Sequence, residues 1–382
     1  MTIDTSYLKE LINAGYASYA ETQARSILTN EELKLSGIED ALRAAYNIAP
    51  DFALLESDEA NSKSTDEKFL IIKAWGHGFF SEVNHLASNL LLAELTQRTP
   101  ICLWGSNCMF RHPDELNSVG NFFKDLQNQI PAEIYECGDI YPSKWNKDNI
   151  HLENNQKHIG PESKITLQML MKRSEKVVVS DFYSPVSSLI PWISEKSAYY
   201  GLSYEDIYDV LYRKYLSPTH EITEFIENFS SQYLSDSNWV AVHMRGTDKV
   251  FESPELAKVN DQYHQFIAQI IKLNPAIKIL LLTDSDVILR DMQELYKDRV
   301  LATNFERGSG NLGVHYVTND SVRAGKEVLI DALLATKADY FIGNIESNVS
   351  LAIKSFGSWN NGYIFMLGTK NGRGPNDFIL KP

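Results

Sequence analysis

Four side chains that can bind an anion or move a proton lie within seven residues of one another: His243, Arg245, Asp248 and Lys249. The apolar run Trp239-Val240-Ala241-Val242 precedes them and is typical of a buried strand in an α/β sheet. Ligands of open α/β sheets bind at the carboxyl ends of the strands, and two cations there suit a phosphate. The alternative interpretation is a strand end that carries a surface ion pair of little functional meaning.

A second charged group, Asp284 and Asp286, ends the predicted strand Ile279-Leu280-Leu281-Leu282. Carboxylates at this spacing hold a divalent cation in metal-dependent nucleotide-sugar transferases. They equally suit the start of a helix, where they cap free amide groups and complement the helix dipole. We favour the capping role, which still allows Asp284 to face a cleft.

A third candidate is the segment 345–350, which follows the predicted strand Tyr340-Phe341-Ile342 and opens a short helix. Ser347 and the exposed amide groups of such a helix start form a ready anion site, although plain capping is the simpler alternative. Arg245 and Lys249 come from another strand of the same predicted sheet. Together these groups would bracket a diphosphate from two sides.

The glycine turn Gly76-His77-Gly78-Phe79-Phe80-Ser81 nearly matches the dinucleotide-binding fingerprint, with Ser81 in place of the last glycine. A dinucleotide site also needs an acidic residue at the end of the next strand to hold the ribose hydroxyls, but Trp104-Gly105-Ser106 stands there. A nicotinamide or flavin enzyme is therefore disfavoured. The simpler interpretation is a tight turn that lets the following helix pack closely.

The composition indicates a folded protein of two domains, since the chain has 382 residues, of which 43% are hydrophobic. The net charge of −14 argues against nucleic acid or an anionic membrane as a partner, because both require a basic surface. The presence of only three cysteines favours a reducing compartment. We expect a cytoplasmic protein, because neither a signal-peptide core nor a membrane span is evident in the sequence.

Predicted strands alternate with helices in two clusters, which indicates two parallel sheets and an α/β fold. The strands are predicted at 69–75, 101–104, 176–179, 240–242, 279–282, 300–302 and 340–342, and the main helices at 83–98, 263–273, 287–296 and 328–337. We divide the chain into a helical appendage and linker (1–66), an N-terminal Rossmann-like domain with a helical bridge (67–235) and a C-terminal Rossmann-like domain (236–382).

The segment His243-Met244-Arg245-Gly246-Thr247-Asp248-Lys249 resembles the His-x-Arg-x-x-Asp-Lys signature of the GT-B fucosyltransferase superfamily. This group includes nodulation, core α1,6- and protein O-fucosyltransferases. Segments 282–286 and 325–334, the latter running into 347–350, fit the same order, and the turn at Gly76 is similar to the family's first β-α-β unit. The resemblance covers residues 70 to about 355.

The resemblance implies a GT-B fold whose C-terminal domain binds GDP-fucose and whose N-terminal domain receives a glycan or glycoconjugate acceptor. It implies that Arg245 binds the β-phosphate with help from Ser347, and that His243 and Asp331 recognise the base. By the same resemblance the further contacts and supporting charges are Asp248, Lys249, Asp284, Asn348, Gly76 and Gly78. Cations that stabilise the departing diphosphate can replace a metal ion, so we expect an inverting transferase without metal or cofactor.

The chain departs from the family at two positions. Gly246 stands where many relatives have a second arginine, and Ser253 stands where the core α1,6 enzymes have a catalytic-base glutamate. Inverting transfer needs a base near the acceptor hydroxyl, which we expect among the following groups: Glu252, Glu255, Glu82 and His85. The departures leave two alternatives open: another nucleotide-sugar donor, or an inactive sensor or scaffold that only binds the nucleotide sugar.

Overall fold

The computed structural model describes residues 5–13, 20–21, 24, 28–45, 67–151, 167–171, 173–183, 185–194, 197–246, 255–308, 318–359 and 363–368. The helices are α1 (Thr5–Asn13), α2 (Asn30–Leu35), α3 (Ile38–Ala45), α4 (Phe79–Leu95), α5 (Ala132–Glu136), α6 (Leu167–Met171), α7 (Tyr204–Tyr215), α8 (His220–Phe229), α9 (Glu255–Leu273), α10 (Asp286–Tyr296), α11 (Ser321–Ala335) and α12 (Asn348–Phe356). The strands are β1 (Phe69–Lys73), β2 (Thr99–Leu103), β3 (Ile140–Tyr141), β4 (Val177–Ser180), β5 (Trp239–Met244), β6 (Lys278–Thr283), β7 (Val300–Leu301), β8 (Tyr340–Asn344) and β9 (Ile364–Leu367).

The strands form two parallel sheets, one of four strands in the order β2-β1-β4-β3 and one of five in the order β7-β6-β5-β8-β9. In the first sheet β2 lies on one side of β1, and the later strands β3 and β4 lie on the other side. In the second sheet β6 and β7 lie on one side of β5, and β8 and β9 lie on the other. The direction therefore switches between β1 and β4 and between β5 and β8, where open α/β sheets bind ligands. The expected α/β class with two Rossmann-like domains, the arrangement of the GT-B fold, is confirmed.

The central strands β1, β4 and β5 are buried at every position, as continuous apolar strands are when helices cover both faces of a parallel sheet. Strands β3 and β9 were not predicted from the sequence. Both are short edge strands whose residues are mostly half-buried, and β3 has only two residues. Among the helices that the structure describes, none is long and apolar enough to cross a membrane.

Three helices begin several residues earlier than predicted, and one of them is α11, which begins at Ser321 instead of at residue 328. Helix α4 begins at Phe79 instead of at residue 83, and its first residues, Phe79 and Phe80, are buried. Helix α9 begins at Glu255 instead of at residue 263, because its first two turns are mostly polar and add little to the apolar periodicity. The earlier start of α4 moves the glycine turn directly to the helix N-terminus, with Gly78 as the N-cap.

Helix α12, which belongs to the second domain, packs against helices of the first. The ring centroid of Phe356, at the end of α12, lies 4.8 Å from that of Tyr212 on α7 and 6.3 Å from that of Phe80 on α4. Lys354 forms an ion pair with Glu205 on α7. One hydrophobic core cluster accordingly contains residues of both domains.

We expect the Phe356→Ala variant to lower the free energy of unfolding by about 2 kcal/mol, less than a fully buried phenylalanine would, because the ring is half-buried. Urea unfolding followed by circular dichroism measures the change. Phe356→Leu is the matched control, since it keeps most of the apolar volume and should lose less stability. Equal stability of Phe356→Ala and the wild type would contradict the interdomain contact.

Candidate functional site

The switch points of the two sheets face each other across a pocket of about 520 Å³, a size typical of small-molecule sites. Its first-domain wall consists of Gly76, His77, Gly78, Phe79, Phe80, Ser81, Met109 and Phe110. Its second-domain wall consists of His243, Arg245, Leu282, Thr283, Asp284, Phe305, Glu306, Ala324, Glu327, Val328, Asp331, Glu346, Ser347, Asn348 and Val349. The structure thus brings all the predicted donor-binding residues together around one cavity.

Some of the predicted catalytic residues cannot be compared with the structure. Asp248, Lys249 and Glu252 lie outside the described residues. Glu255 is the first residue of α9, and its side chain lies outside the described part of the chain.

Arg245 follows the end of β5 and is held by Asp284, which follows the neighbouring strand β6. The guanidinium Nε of Arg245 lies 3.1 Å from Oδ2 of Asp284, and the backbone amide of Gly246 donates a hydrogen bond of 2.9 Å to Oδ1. The carboxylate therefore fixes both the side chain and the backbone that carries it. A guanidinium held at the pocket wall in this way suits a phosphate ligand.

The prediction that Asp284 caps the next helix is wrong. The N-cap of α10 is Ser285, whose hydroxyl accepts the backbone amide of Ile288, while Asp284 faces Arg245. Asp286 is the first residue of the helix, where its charge complements the helix dipole. Within the residues that the structure describes, no three His, Cys, Asp or Glu side chains are grouped to hold a metal ion.

Gly246, where the resemblance to the fucosyltransferase signature implies a second arginine, packs closely against the start of α10. A Cβ atom there would lie 2.4 Å from Cδ1 of Ile288 and 3.0 Å from Cβ of Ser285. A side chain at position 246 is therefore accommodated only if the Ile288 side chain moves.

His243 is buried at the end of β5, and its Nδ1 shares a hydrogen bond of 2.7 Å with the Ser350 hydroxyl. That hydroxyl also accepts the backbone amide of Asn344 at 2.9 Å, and the carbonyl of His243 accepts a hydrogen bond of 2.7 Å from Tyr263. Burial lowers the pKa of His243 to about 4, opposed by Asp284 and assisted by Arg245. The imidazole is therefore neutral at neutral pH and suited to hydrogen bonding rather than to charge pairing.

Asp331 reaches the pocket wall from α11, and its Oδ1 accepts a hydrogen bond of 2.9 Å from the hydroxyl of Thr303. Burial raises the pKa of Asp331 to about 7, although Thr303 and Arg307 favour the charged form. The carboxyl group thus changes charge near neutral pH. The sequence analysis did not identify Thr303 or Ser350 as site residues. Thr303 lies shortly after strand β7, and this position at the carboxyl end of a strand could have identified it.

Ser347 is the N-cap of α12, as predicted, but its hydroxyl makes no capping hydrogen bond. Its backbone amide donates to the carbonyl of Asn344 at 3.1 Å, and its carbonyl accepts the amide of Leu351 at 3.0 Å. The start of α12 and Asn348 line the pocket. A helix N-terminus in this position favours a bound anion.

Glu82 and His85, the expected groups across the cleft, are absent from the described pocket lining. Glu82 is buried in the first turn of α4, where its carboxylate accepts the backbone amides of Trp75 at 2.7 Å, His77 at 2.8 Å and Gly76. His85 is also buried, with Nε2 3.1 Å from the carbonyl of Lys73. Neither is placed to act as a base. The amides that a dinucleotide fingerprint would offer to a phosphate are occupied by Glu82.

The fold and the site define a two-domain α/β protein with a small-molecule pocket between its domains. No family model matches the chain, and no curated protein does. Solved structures do match. Fucosyltransferase NodZ from Bradyrhizobium is 18% identical at a TM-score of 0.49, over 76% of this chain and 93% of that one. POFUT1 in complex with GDP-fucose is 16% identical at a TM-score of 0.46, over 81% of this chain and 100% of that one. A mutant of Arabidopsis thaliana FUT1 in complex with GDP is 14% identical at a TM-score of 0.46, over 80% of this chain and 72% of that one.

We expect Gly246→Ala to destabilise the protein by about 1–3 kcal/mol, because the added methyl group overpacks the contact with Ile288. The double variant with Ile288→Val, which lacks the clashing Cδ1 atom, should recover part of this loss. Thermal unfolding of the wild type, both single variants and the double variant completes the cycle. Additive effects of the two substitutions would contradict a direct clash.

Proposed function

We propose that the protein is a glycosyltransferase that moves fucose from GDP-fucose to a glycan or glycoconjugate, with inversion and without a metal ion. In this proposal the second domain binds the donor and the first domain receives the acceptor. The observation that carries it is the meeting of Arg245, Asp331 and the start of α12 in one pocket between the domains. These groups suit the phosphates and the base of one nucleotide.

The diphosphate would lie between Arg245 and the start of α12. The guanidinium offers charge-assisted hydrogen bonds, and the helix start offers a favourable dipole and the Ser347 hydroxyl. Both would stabilise the negative charge that develops on the leaving diphosphate. Metal-independent transfer is supported by Asp284, whose oxygens are engaged with Arg245 and Gly246.

The base would be recognised by Asp331 and His243. A purine with N–H donors on its edge, such as guanine, would give the Asp331 carboxylate the hydrogen bonds that stabilise its charged form. The neutral His243 can donate or accept a hydrogen bond without bringing a charge to the base. Asn348, Gly76 and Gly78 remain proposed donor contacts, and Asp248 and Lys249 remain proposed supporting charges.

Transfer by inversion places the acceptor hydroxyl on the opposite face of the sugar C1 atom from the diphosphate. The oxygen forms a bond to C1 while the bond from C1 to the β-phosphate oxygen breaks, and the electron pair leaves with GDP. A base takes the hydroxyl proton. Glu252 and Glu255 remain the base candidates from the sequence. Glu252→Gln should abolish transfer and leave donor binding intact if it is the base.

A thermal-shift screen with GDP, GDP-fucose, GDP-mannose, UDP-glucose and ADP tests the proposal. A ligand at 100 times its Kd stabilises the native state by about 2.7 kcal/mol, so we expect GDP and GDP-fucose to raise the melting temperature. An assay for GDP release from GDP-fucose, with and without EDTA, then tests turnover and its independence of metal. Absence of any shift with guanine nucleotides would contradict the proposal, and binding without turnover over an acceptor panel would favour the sensor or scaffold. A shift only with another nucleotide sugar would assign a different donor.

We expect Arg245→Ala to weaken GDP binding roughly 10- to 100-fold, because a hydrogen bond to a charged group contributes about 1.5–3 kcal/mol. Isothermal titration calorimetry measures the change. Arg290→Ala is the matched control, since Arg290 is an exposed arginine on α10 outside the pocket lining. Similar affinities of wild type and Arg245→Ala would remove the guanidinium from the phosphate site.

The pKa of about 7 for Asp331 predicts that GDP binds more tightly as the pH rises from 5.5 to 8. If only the ionised form of Asp331 binds the guanine, the affinity for GDP should fall at most about tenfold for each pH unit below 7. The stability of the free protein has the opposite pH dependence. The raised pKa of Asp331 stabilises the folded state at low pH, and this contribution is lost as the pH rises toward 7. Calorimetry with Asp331→Asn is the control, because the GDP phosphates titrate in both proteins. Equal pH dependence of the two proteins would exclude this role of Asp331.

A further inference from the structure

The first-domain wall of the pocket is built mainly by one short segment of the chain. Six of its eight described lining residues belong to the run 76–81, and the other two are Met109 and Phe110. This run comprises the glycine turn and the first residues of α4, with Gly78 as the N-cap. The position of the wall therefore depends on what holds the turn against the helix.

Assuming the proposed function, we infer that Glu82 is a positioning residue for the transfer. Its buried carboxylate takes the place of a bound anion and holds the glycine turn at the pocket. Gly76 and Gly78 are the proposed donor contacts of this turn, whereas Glu82 is absent from the described pocket lining. Glu82 would thus act on the reaction through the backbone of the turn, without touching the ligand.

Three consecutive backbone amides of the turn converge on the Glu82 carboxylate. Oε2 accepts the amide of Trp75 at 2.7 Å, and Oε1 accepts the amide of His77 at 2.8 Å and that of Gly76. Successive N–H groups that converge in this way form a concave site for an anion. In this chain a side chain of the following helix supplies that anion.

The main chain of Glu82 binds the same turn. Its amide donates a hydrogen bond of 3.1 Å to the carbonyl of Gly78, so side chain and backbone hold opposite ends of the turn. Gly76 has a φ of 90°, in the left-handed region that favours glycine. Glu82 is fully buried, and hydrogen bonds are stronger and harder to replace where water is excluded. Loss of the carboxylate should therefore shift the turn.

The occupied amides also bear on the orientation of a bound nucleotide. A phosphate cannot take the amides of residues 75–77 while the Glu82 carboxylate accepts them. The diphosphate would then be directed to Arg245 and the start of α12 on the opposite wall, and the sugar would face the turn. A displaced turn would disturb the sugar more than the GDP part of the donor.

Glu82→Ala and Glu82→Gln test the inference. Glu133→Ala is the matched control, because Glu133 is an exposed glutamate in the first turn of α5, outside the described pocket lining. Calorimetry measures GDP affinity, and a second assay measures GDP release from GDP-fucose with water as the acceptor. A misplacement of about 1 Å can cost about 100-fold in rate, so we expect a loss of that order in Glu82→Ala. GDP affinity should not change.

Acetate distinguishes this role from a general loss of structure. The part of the side chain that Glu82→Ala removes has the shape of acetate, which can therefore fill the space and accept the same amides. We expect sodium acetate to restore GDP release and to raise the melting temperature of Glu82→Ala, whereas sodium chloride at the same ionic strength should not.

Glu82→Gln keeps a carbonyl oxygen that can accept the amides of Gly76 and His77, but its NH₂ group cannot accept the amide of Trp75. We expect this variant to have an intermediate rate of GDP release. Acetate should leave that rate unchanged, because the glutamine side chain fills the space.

Wild-type rates of GDP release in both Glu82 variants would overturn the inference. A loss of GDP affinity as large as the loss of rate, or a folded Glu82→Ala that acetate does not activate, would also overturn it. If Glu82→Ala does not fold, the rate of Glu82→Gln decides: an intermediate rate at unchanged GDP affinity supports the inference, and a wild-type rate overturns it.

Failure of the proposed function gives a different result. A wild-type protein that neither binds nor hydrolyses GDP-fucose would contradict the proposed function. The effect of acetate on the melting temperature of Glu82→Ala would still show whether the carboxylate occupies an anion site in the turn.

Discussion

The pocket depends on one helix, α12, that is held by both domains. Its N-cap residue, Ser347, lies at the pocket. Its last turn contacts the first domain through the Lys354 ion pair with Glu205 and the Phe356 contact with Tyr212. A shift of the helix start away from the first domain would therefore break these contacts. The distance between the two walls, and with it the position of any bound anion relative to the glycine turn, is set by packing of the helix end.

The charge of the pocket is controlled by burial within an acidic protein. The chain has a net charge of −14, yet the pocket has groups that suit an anion. Burial keeps His243 neutral and raises the pKa of Asp331 to about 7, while Asp284 faces Arg245. The pocket consequently has fewer negative charges that would repel an anion than the number of its acidic residues suggests. A ligand with N–H donors would supply to Asp331 the stabilisation that burial removes, so ionisation and binding become coupled.

The sequence allowed the central strands to be predicted, because long apolar runs identify parallel strands. It also placed His243, Arg245 and Asp284 at one sheet edge, because the carboxyl ends of parallel strands meet there. It did not reveal the function of Glu82, which depends on three amides brought together by the turn at Gly76. The capping prediction for Asp284 failed for a similar reason. Ser285 caps the helix equally well, and Asp284 instead pairs with Arg245. This pairing becomes evident only when strands β5 and β6 are seen to be neighbours.

Gly246 shows how packing limits the chemistry of the site. The loop after β5 lies so close to Ile288 and Ser285 that a side chain at position 246 would require Ile288 to move. In the proposed reaction, the charge on a leaving diphosphate would then be stabilised by the guanidinium of Arg245 and by groups from other elements. The start of α12 is the described element best suited to this, since a helix N-terminus adds favourable potential without a side chain. Because packing of α12 against the first domain fixes that helix start, the same contacts that join the domains would also support the departure of the diphosphate.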